Sequence, residues 1–124
     1  MSALVWALRR AVANGVDVEV VTVWPPWHTV FIHEVPGHFC DARKVAEQAQ
    51  SRAIELASSE LDELPPVTRR LENAGVAEAL LAASAEAALL VLGSRPALRH
   101  PRGPQGPRLA TRLRQDGACA VKVV

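Results

Sequence analysis

Apolar residues recur along the chain with two different periods, one typical of helices and one typical of strands. In residues 3–14 the apolar positions fall on one helical face, and Gly15 follows as a stop signal. Residues 16–24 first alternate and then become continuously apolar and β-branched, ahead of two prolines. The pattern therefore predicts a helix at residues 3–14 and a strand at residues 16–24.

The longest helical pattern follows a segment without any period. Residues 25–40 contain three prolines and a glycine, which predicts a loop, and Asp41 is suited to cap a helix over residues 42–64. Two prolines end that helix. The apolar residues expected to face the core are Val45, Ala49, Ala53, Leu56, Ala57 and Leu61.

The second half of the chain continues the alternation. It predicts a strand at residues 67–75, a helix at 76–85, a buried strand at 88–93, a helix at 108–117 and a strand at 118–124. Alternating helices and strands are typical of an α/β fold: an open parallel sheet with helices on both faces. The length of 124 residues predicts one domain over residues 1–124.

The charges are unevenly distributed along the chain. Formal net charge is only +1, yet six arginines and no acidic residue occur between Arg95 and Arg114. The remainder of the chain then has eight basic against thirteen acidic side chains. A basic segment on an acidic body favours a local anion site over general nucleic-acid binding.

Three observations concern location. Cys40 and Cys119 have no metal or redox spacing, and no basic leader precedes an apolar stretch, which predicts a cytoplasmic protein. Residues 74–93 have the length of a bilayer span, but Glu78 and Glu86 would each cost about 2 to 3 kcal/mol there. We therefore expect no membrane segment.

Candidate catalytic and metal-binding residues are few. The potential metal ligands of the proline-rich loop match no closed motif, so no metal site is predicted. Ser94 follows a strand but lacks the G-x-S-x-G elbow of a nucleophile, and no histidine is placed to serve as its base. We therefore expect that the protein is not an enzyme. The potential metal ligands of the proline-rich loop, for which no metal site is predicted, are His28, His33, Glu34, His38 and Cys40.

The sequence places a candidate anion site at the carboxyl ends of the strands, where open α/β sheets bind ligands. Gly93 ends a buried strand, and the arginine-rich segment leads from it to the next helix. Glycine lets backbone N–H groups approach a phosphate, and a helix N-terminus adds a favourable dipole. A glycine that merely ends a strand, with solvated arginines after it, is the structural alternative.

Four stretches resemble a known family: "ALVWALRRAVANGVDVEVVTVW", "ARKVAEQAQSRAIELA", "AALLVLGSR" and "ACAVKVV". In this order they are similar to a universal stress protein domain over nearly the whole chain. The resemblance implies a Rossmann-like, five-stranded parallel sheet of order 3-2-1-4-5 and frequent homodimers through the last strand. In one subgroup it also implies ATP bound by the motif G-x2-G-x9-G-[S/T].

That motif is degenerate here. Gly93 matches its first glycine, Pro96 replaces the second, and Gly106 matches the third by spacing, whereas the following helix puts that position at Pro107. The hydroxyl is missing in either register. Because proline has no N–H to donate, ATP is expected to bind weakly or not at all. By resemblance, the candidate nucleotide-binding residues are Val23, Leu92, Gly93, Ser94, Arg95, Gly106 and Arg108.

The first strand of the family, with its adenine-contacting aspartate, has no counterpart, because the sequence begins at "MSALVWA", within the following helix. We expect the strands at residues 16–24 and 88–93 to close that gap by pairing directly, since buried unpaired backbone groups cost about 1 to 3 kcal/mol each. The alternative is a partly molten chain.

The predicted function is a small stress-associated regulatory or binding module with a degenerate nucleotide site. Two alternatives stay open: an ATP-binding universal stress protein with weak ATPase activity, and an interaction domain whose arginines hold a phosphorylated partner or nucleic acid. We also expect a homodimer formed by antiparallel pairing of the strand from Ala118 to Val124, which would otherwise leave an exposed edge.

Overall fold

Helices and strands alternate along the part of the chain described by the computed structural model, residues 2–24, 38–93 and 107–124. This confirms the predicted α/β class. The elements, in chain order, are α1 Ala3–Asn14, β1 Val18–Trp24, α2 His38–Ser58, β2 Val67–Asn73, α3 Val76–Ser84, β3 Leu89–Leu92, α4 Pro107–Asp116 and β4 Ala120–Val123.

Local signals define both ends of α1. The hydroxyl of Ser2 accepts a hydrogen bond from the Val5 N–H at 3.1 Å, which satisfies a backbone donor of the first turn. At the other end Gly15 adopts a left-handed conformation, φ 65°, and the next N–H donates to the Ala11 carbonyl. The helix therefore begins and ends where its sequence predicts.

The strands form two parallel pairs. β1 pairs with β2 in a register that runs from Val18 opposite Val67 to Trp24 opposite Asn73. β3 pairs with β4 over four residues. Among the described residues these two pairs are separate two-stranded sheets.

The expected direct pairing of β1 with β3 is therefore wrong. Both strands pack against α1, whereas their Cα atoms scarcely approach within 8 Å of each other. The expectation assumed that an unpaired edge would be buried. Instead, all four residues of β3 and all residues of β1 but Glu19 and Trp24 are half-buried, so edge groups retain access to water.

The helices pack in two groups. α1 contacts α2, while α3 contacts α4, and α1 also reaches both sheets through β1 and β3. None of the described helices has the length and apolar composition needed to span a membrane. The core beside β1 and β2 consists of the buried residues Val5, Leu8 and Ala57, with Leu4, Val18, Leu61 and Val67 packed around them.

The face of α2 that contacts the core differs from the prediction. Val45 and Leu56 are 65% and 60% exposed, while Ala46, Gln50 and Ala57 are buried. The helix also begins before Asp41 and ends at Ser58, short of the prolines.

The side chain of Gln50 accounts for the difference between the predicted and the observed buried face of α2. The amide Nε2 of Gln50 donates to the carbonyl oxygens of Val20 at 2.9 Å and Arg70 at 3.0 Å, one in each strand of the first sheet. Because these hydrogen bonds satisfy the buried amide, glutamine occupies a position that hydrophobic periodicity would assign to solvent.

Candidate functional site at the carboxyl ends of β1 and β3

The carboxyl end of β1 presents backbone groups at an unpaired edge. The Val18 N–H donates to the Pro66 carbonyl at 2.9 Å, so Val18 turns its backbone toward β2. Successive residues of a strand point their N–H and C=O groups to opposite sides. By this alternation Val23 directs its N–H and C=O away from β2, into the free edge.

The carboxyl end of β3 follows the same alternation. The Val124 N–H donates to the Leu92 carbonyl at 2.9 Å, so the backbone of Leu92 is turned toward β4. Gly93, one residue further, is turned to the other side, the free edge of β3. Of the residues predicted by resemblance, the fold thus brings Val23 and Gly93 to free edges, while the Leu92 carbonyl is occupied by sheet pairing.

The fold itself does not require a glycine at position 93. A Cβ atom placed there would lie 3.8 Å from the Cβ of Ala3, an ordinary van der Waals contact. Gly15 is the one glycine with positive φ among the described residues, so Gly93 does not need glycine for its backbone conformation either. Its exposed backbone is accessible to a ligand.

The beginning of α4 differs from an ordinary phosphate-binding helix terminus. The helix begins at Pro107, which has no N–H, so one of the donors that such a terminus offers to an anion is missing. Arg108 follows and is exposed. Further along the helix, Arg112 forms an ion pair with Asp116 at 3.8 Å.

The polar surface beside Val23 is acidic and paired. Glu72 lies opposite Val23 in the register and bonds to the guanidinium of Arg70, which also reaches Glu19 at 3.4 Å. The hydrogen bond that the Arg70 guanidinium donates to the Glu72 carboxylate is the main cause that raises the pKa of Arg70 above its ordinary value. Among the described residues, Arg70 is therefore paired with two carboxylates.

Asn73 is a site residue that the sequence analysis missed. It stands opposite Trp24 at the carboxyl ends of the first sheet, and its Nδ2 atom is buried without a hydrogen-bond partner in the described chain. A buried donor without an acceptor is rare in folded proteins. The available signal was a polar residue at the end of a strand, directly ahead of a glycine-containing turn.

The remaining predicted residues lie outside the described residues: Ser94, Arg95 and Gly106, together with Pro96 of the motif and His28, His33 and Glu34 of the loop. Within residues 2–24, 38–93 and 107–124, no group of three or more histidine, cysteine, aspartate and glutamate side chains is arranged to hold a metal ion.

Comparisons with known proteins bear on the whole chain. The chain is similar to the solved structure of universal stress protein UspA from Lactobacillus plantarum, with a TM-score of 0.74 at 16% identity, over 98% of this chain and 86% of that one. No curated protein matches it significantly. A family model described as "Universal stress protein family" matches residues 1–121 of the chain. The chain is therefore a member of the universal stress protein family.

Proposed function

We propose that this protein is a cytoplasmic, stress-associated regulatory binding module in which the nucleotide site has degenerated, so that ATP binds weakly or not at all. Membership of the universal stress protein family supports the first part. The observation that carries the second is the start of α4 at Pro107, where a phosphate-binding terminus would offer an N–H.

In this proposal the side of the site that would bind the base is retained, whereas the side that would bind the phosphates has lost donors. The free backbone of Val23 and the accessible backbone of Gly93 remain suited to a planar base and to a phosphate. Pro96 and Pro107 remove two donors on the phosphate side. Arg108 replaces charge but not geometry, because a mobile guanidinium positions a phosphate less well than a set of backbone donors.

The test is calorimetric titration of Mg-ATP into the native protein and the double variant Pro96→Gly/Pro107→Ser. Two regained hydrogen bonds of about 1 kcal/mol each predict binding at least about ten-fold tighter in the variant. Pro101→Ser/Pro104→Gly, in the same segment but outside the motif positions, is the matched control and keeps the native affinity. Tight binding by the native protein, or equal affinities for all three proteins, would contradict the proposal.

We further propose a homodimer in which β4 pairs antiparallel with β4 of a second copy. β4 is bonded to β3 on one edge, and its other edge is unpaired among the described residues. Lys122, the charged residue that would discourage such pairing, lies with its ammonium 5.6 Å from the ring centroid of Trp6. This contact draws the cation toward α1 and away from the edge.

A further inference from the structure

Two cationic side chains from different elements lie beside one aromatic ring. The guanidinium carbon of Arg10 is 5.5 Å from the ring centroid of Trp6, and the ammonium of Lys122 is 5.6 Å from the same point. Arg10 follows Trp6 by one turn of α1, whereas Lys122 belongs to β4. The fold therefore brings two like charges together from segments that are distant in sequence.

These two cations have no carboxylate partner in the part of the chain that the structure describes. The ion pairs there involve Arg70 and Arg112, and neither Arg10 nor Lys122 belongs to one. A cation–π contact of an exposed cation is weak, and it leaves most donors of the guanidinium and the ammonium available to a ligand. Because like charges repel, an anion between the two side chains would be attracted by both.

The surface beside these cations is open to solvent. Lys122 approaches Trp6, so its side of β4 faces α1, and Ala120, two residues earlier, lies on the same side of the strand. Ala120 and Lys122 are exposed, whereas Val121 and Val123 are half-buried. α1 packs against β3 and leaves this side of β4 exposed. Because the side chain of Ala120 is small, the corner between α1 and β4 is accessible to a ligand.

We propose that Trp6, Arg10 and Lys122 form a binding site for a dianionic phosphate group, either free or carried as a monoester. Such a group has a charge of about −1.5 to −2 near neutral pH, which matches two cations, whereas a carboxylate or a phosphodiester has a single charge. The guanidinium donates paired N–H groups to phosphate oxygens, and the ammonium binds them as a point charge. The half-buried ring of Trp6 keeps both cations at the corner before the anion arrives.

This site is separate from the two proposals made above. Its three residues lie outside the glycine motif, and all belong to one copy of the chain. The side chain of Lys122 projects from a face of the sheet, whereas the proposed dimer uses the backbone edge of β4. The inference therefore depends neither on the nucleotide site nor on the dimer.

The experiment follows the indole N–H resonance of Trp6 by NMR while inorganic phosphate is added at constant ionic strength, near pH 7.5. The resonance is assigned by its loss in Trp6→Phe. We expect a saturable shift, and dimethyl phosphate, a monoanion, binds at least about five-fold more weakly. Arg10→Gln and Lys122→Gln each weaken phosphate binding by at least about five-fold. Arg9→Gln is the matched control, because Arg9 is exposed but points about 100° away around α1, and it keeps the native affinity.

A short peptide with one phosphoserine distinguishes the two sources of the phosphate group. Tighter binding than inorganic phosphate supports the site and assigns the group to a phosphorylated partner, whereas binding that is no tighter supports it as a site for a free phosphate compound. A shift that does not saturate, equal binding of dimethyl phosphate, or equal losses for Arg9→Gln and Arg10→Gln would overturn the proposal. Pro96→Gly/Pro107→Ser leaves the phosphate affinity measured at Trp6 unchanged, so this test is independent of the ATP titration.

Discussion

The hydroxyl of Ser84 accepts a hydrogen bond of 3.1 Å from the backbone N–H of Ala118, and so joins the end of α3 to the turn that leads into β4. Ser84 is 1% exposed, and its hydroxyl also donates to the Leu81 carbonyl at 2.7 Å. The hydroxyl therefore connects two segments that are 34 residues apart.

Ser84→Ala is expected to destabilise the protein by about 1 kcal/mol, because the N–H of Ala118 loses its hydrogen-bond acceptor, the buried Ser84 hydroxyl. Denaturant unfolding measures this loss. Ser59→Ala is the matched control, since the Ser59 hydroxyl makes the same kind of bond to the carbonyl three residues back but is exposed. Equal losses for the two variants would mean that the link to Ala118 contributes nothing.

Gln50→Glu is expected to destabilise the protein by more than about 2 kcal/mol at pH 7, because it places a buried carboxylate against the carbonyls of Val20 and Arg70. The folded state then raises the pKa of that carboxyl above its unfolded value of about 4.3. Its penalty is present above the raised pKa and disappears as pH falls below it.

The measurement for this variant is the unfolding free energy between pH 7 and pH 4, relative to the native protein at each pH. For Gln50→Glu, the difference in unfolding free energy between the variant and the native protein becomes smaller toward acid pH. Gln48→Glu, on the exposed face of the same helix, serves as the control and shows little difference at either pH. A constant difference across the pH range would show that the new carboxylate is solvated.

Gly15→Ala is expected to cost about 1 kcal/mol, because alanine disfavours the left-handed conformation at φ 65° although no atom lies within 4 Å of the added Cβ. Gly93→Ala is a control with ordinary backbone and a tolerable contact at 3.8 Å, and it leaves stability nearly unchanged. Thermal unfolding compares the two. A larger loss for Gly93→Ala would reveal a steric demand absent from the structure.

Val121→Pro is expected to convert the proposed dimer into a monomer. The bond from the Val124 N–H to Leu92 places the Val121 N–H on the outer edge of β4, so proline removes a donor of the dimer ladder and none of the ladder with β3. Sedimentation at tens of micromolar measures the change, and Val121→Thr, which keeps the N–H, remains dimeric. A native protein that sediments only as a monomer would contradict the dimer itself.

Local sequence determined the elements and part of the site. The bounds of α1 were predictable because its signals, the cap at Ser2 and the left-handed Gly15, act within one turn of the helix. The strands were predictable because β-branched, apolar runs favour extended backbone wherever they pack. Gly93 could be placed at the end of a strand for the same reason, whereas the last helix begins at Pro107, one residue before the predicted start.

Only the tertiary structure decided which face of α2 is buried and how the strands are arranged. Periodicity assigns buried positions by hydrophobicity, but Gln50 enters the core because its partners are carbonyls on two strands distant in sequence. The arrangement of β1 and β3 likewise involves segments distant in sequence, because α1 packs against both strands. Contacts between distant segments set both outcomes, and a pattern read over neighbouring residues carries no information about such contacts.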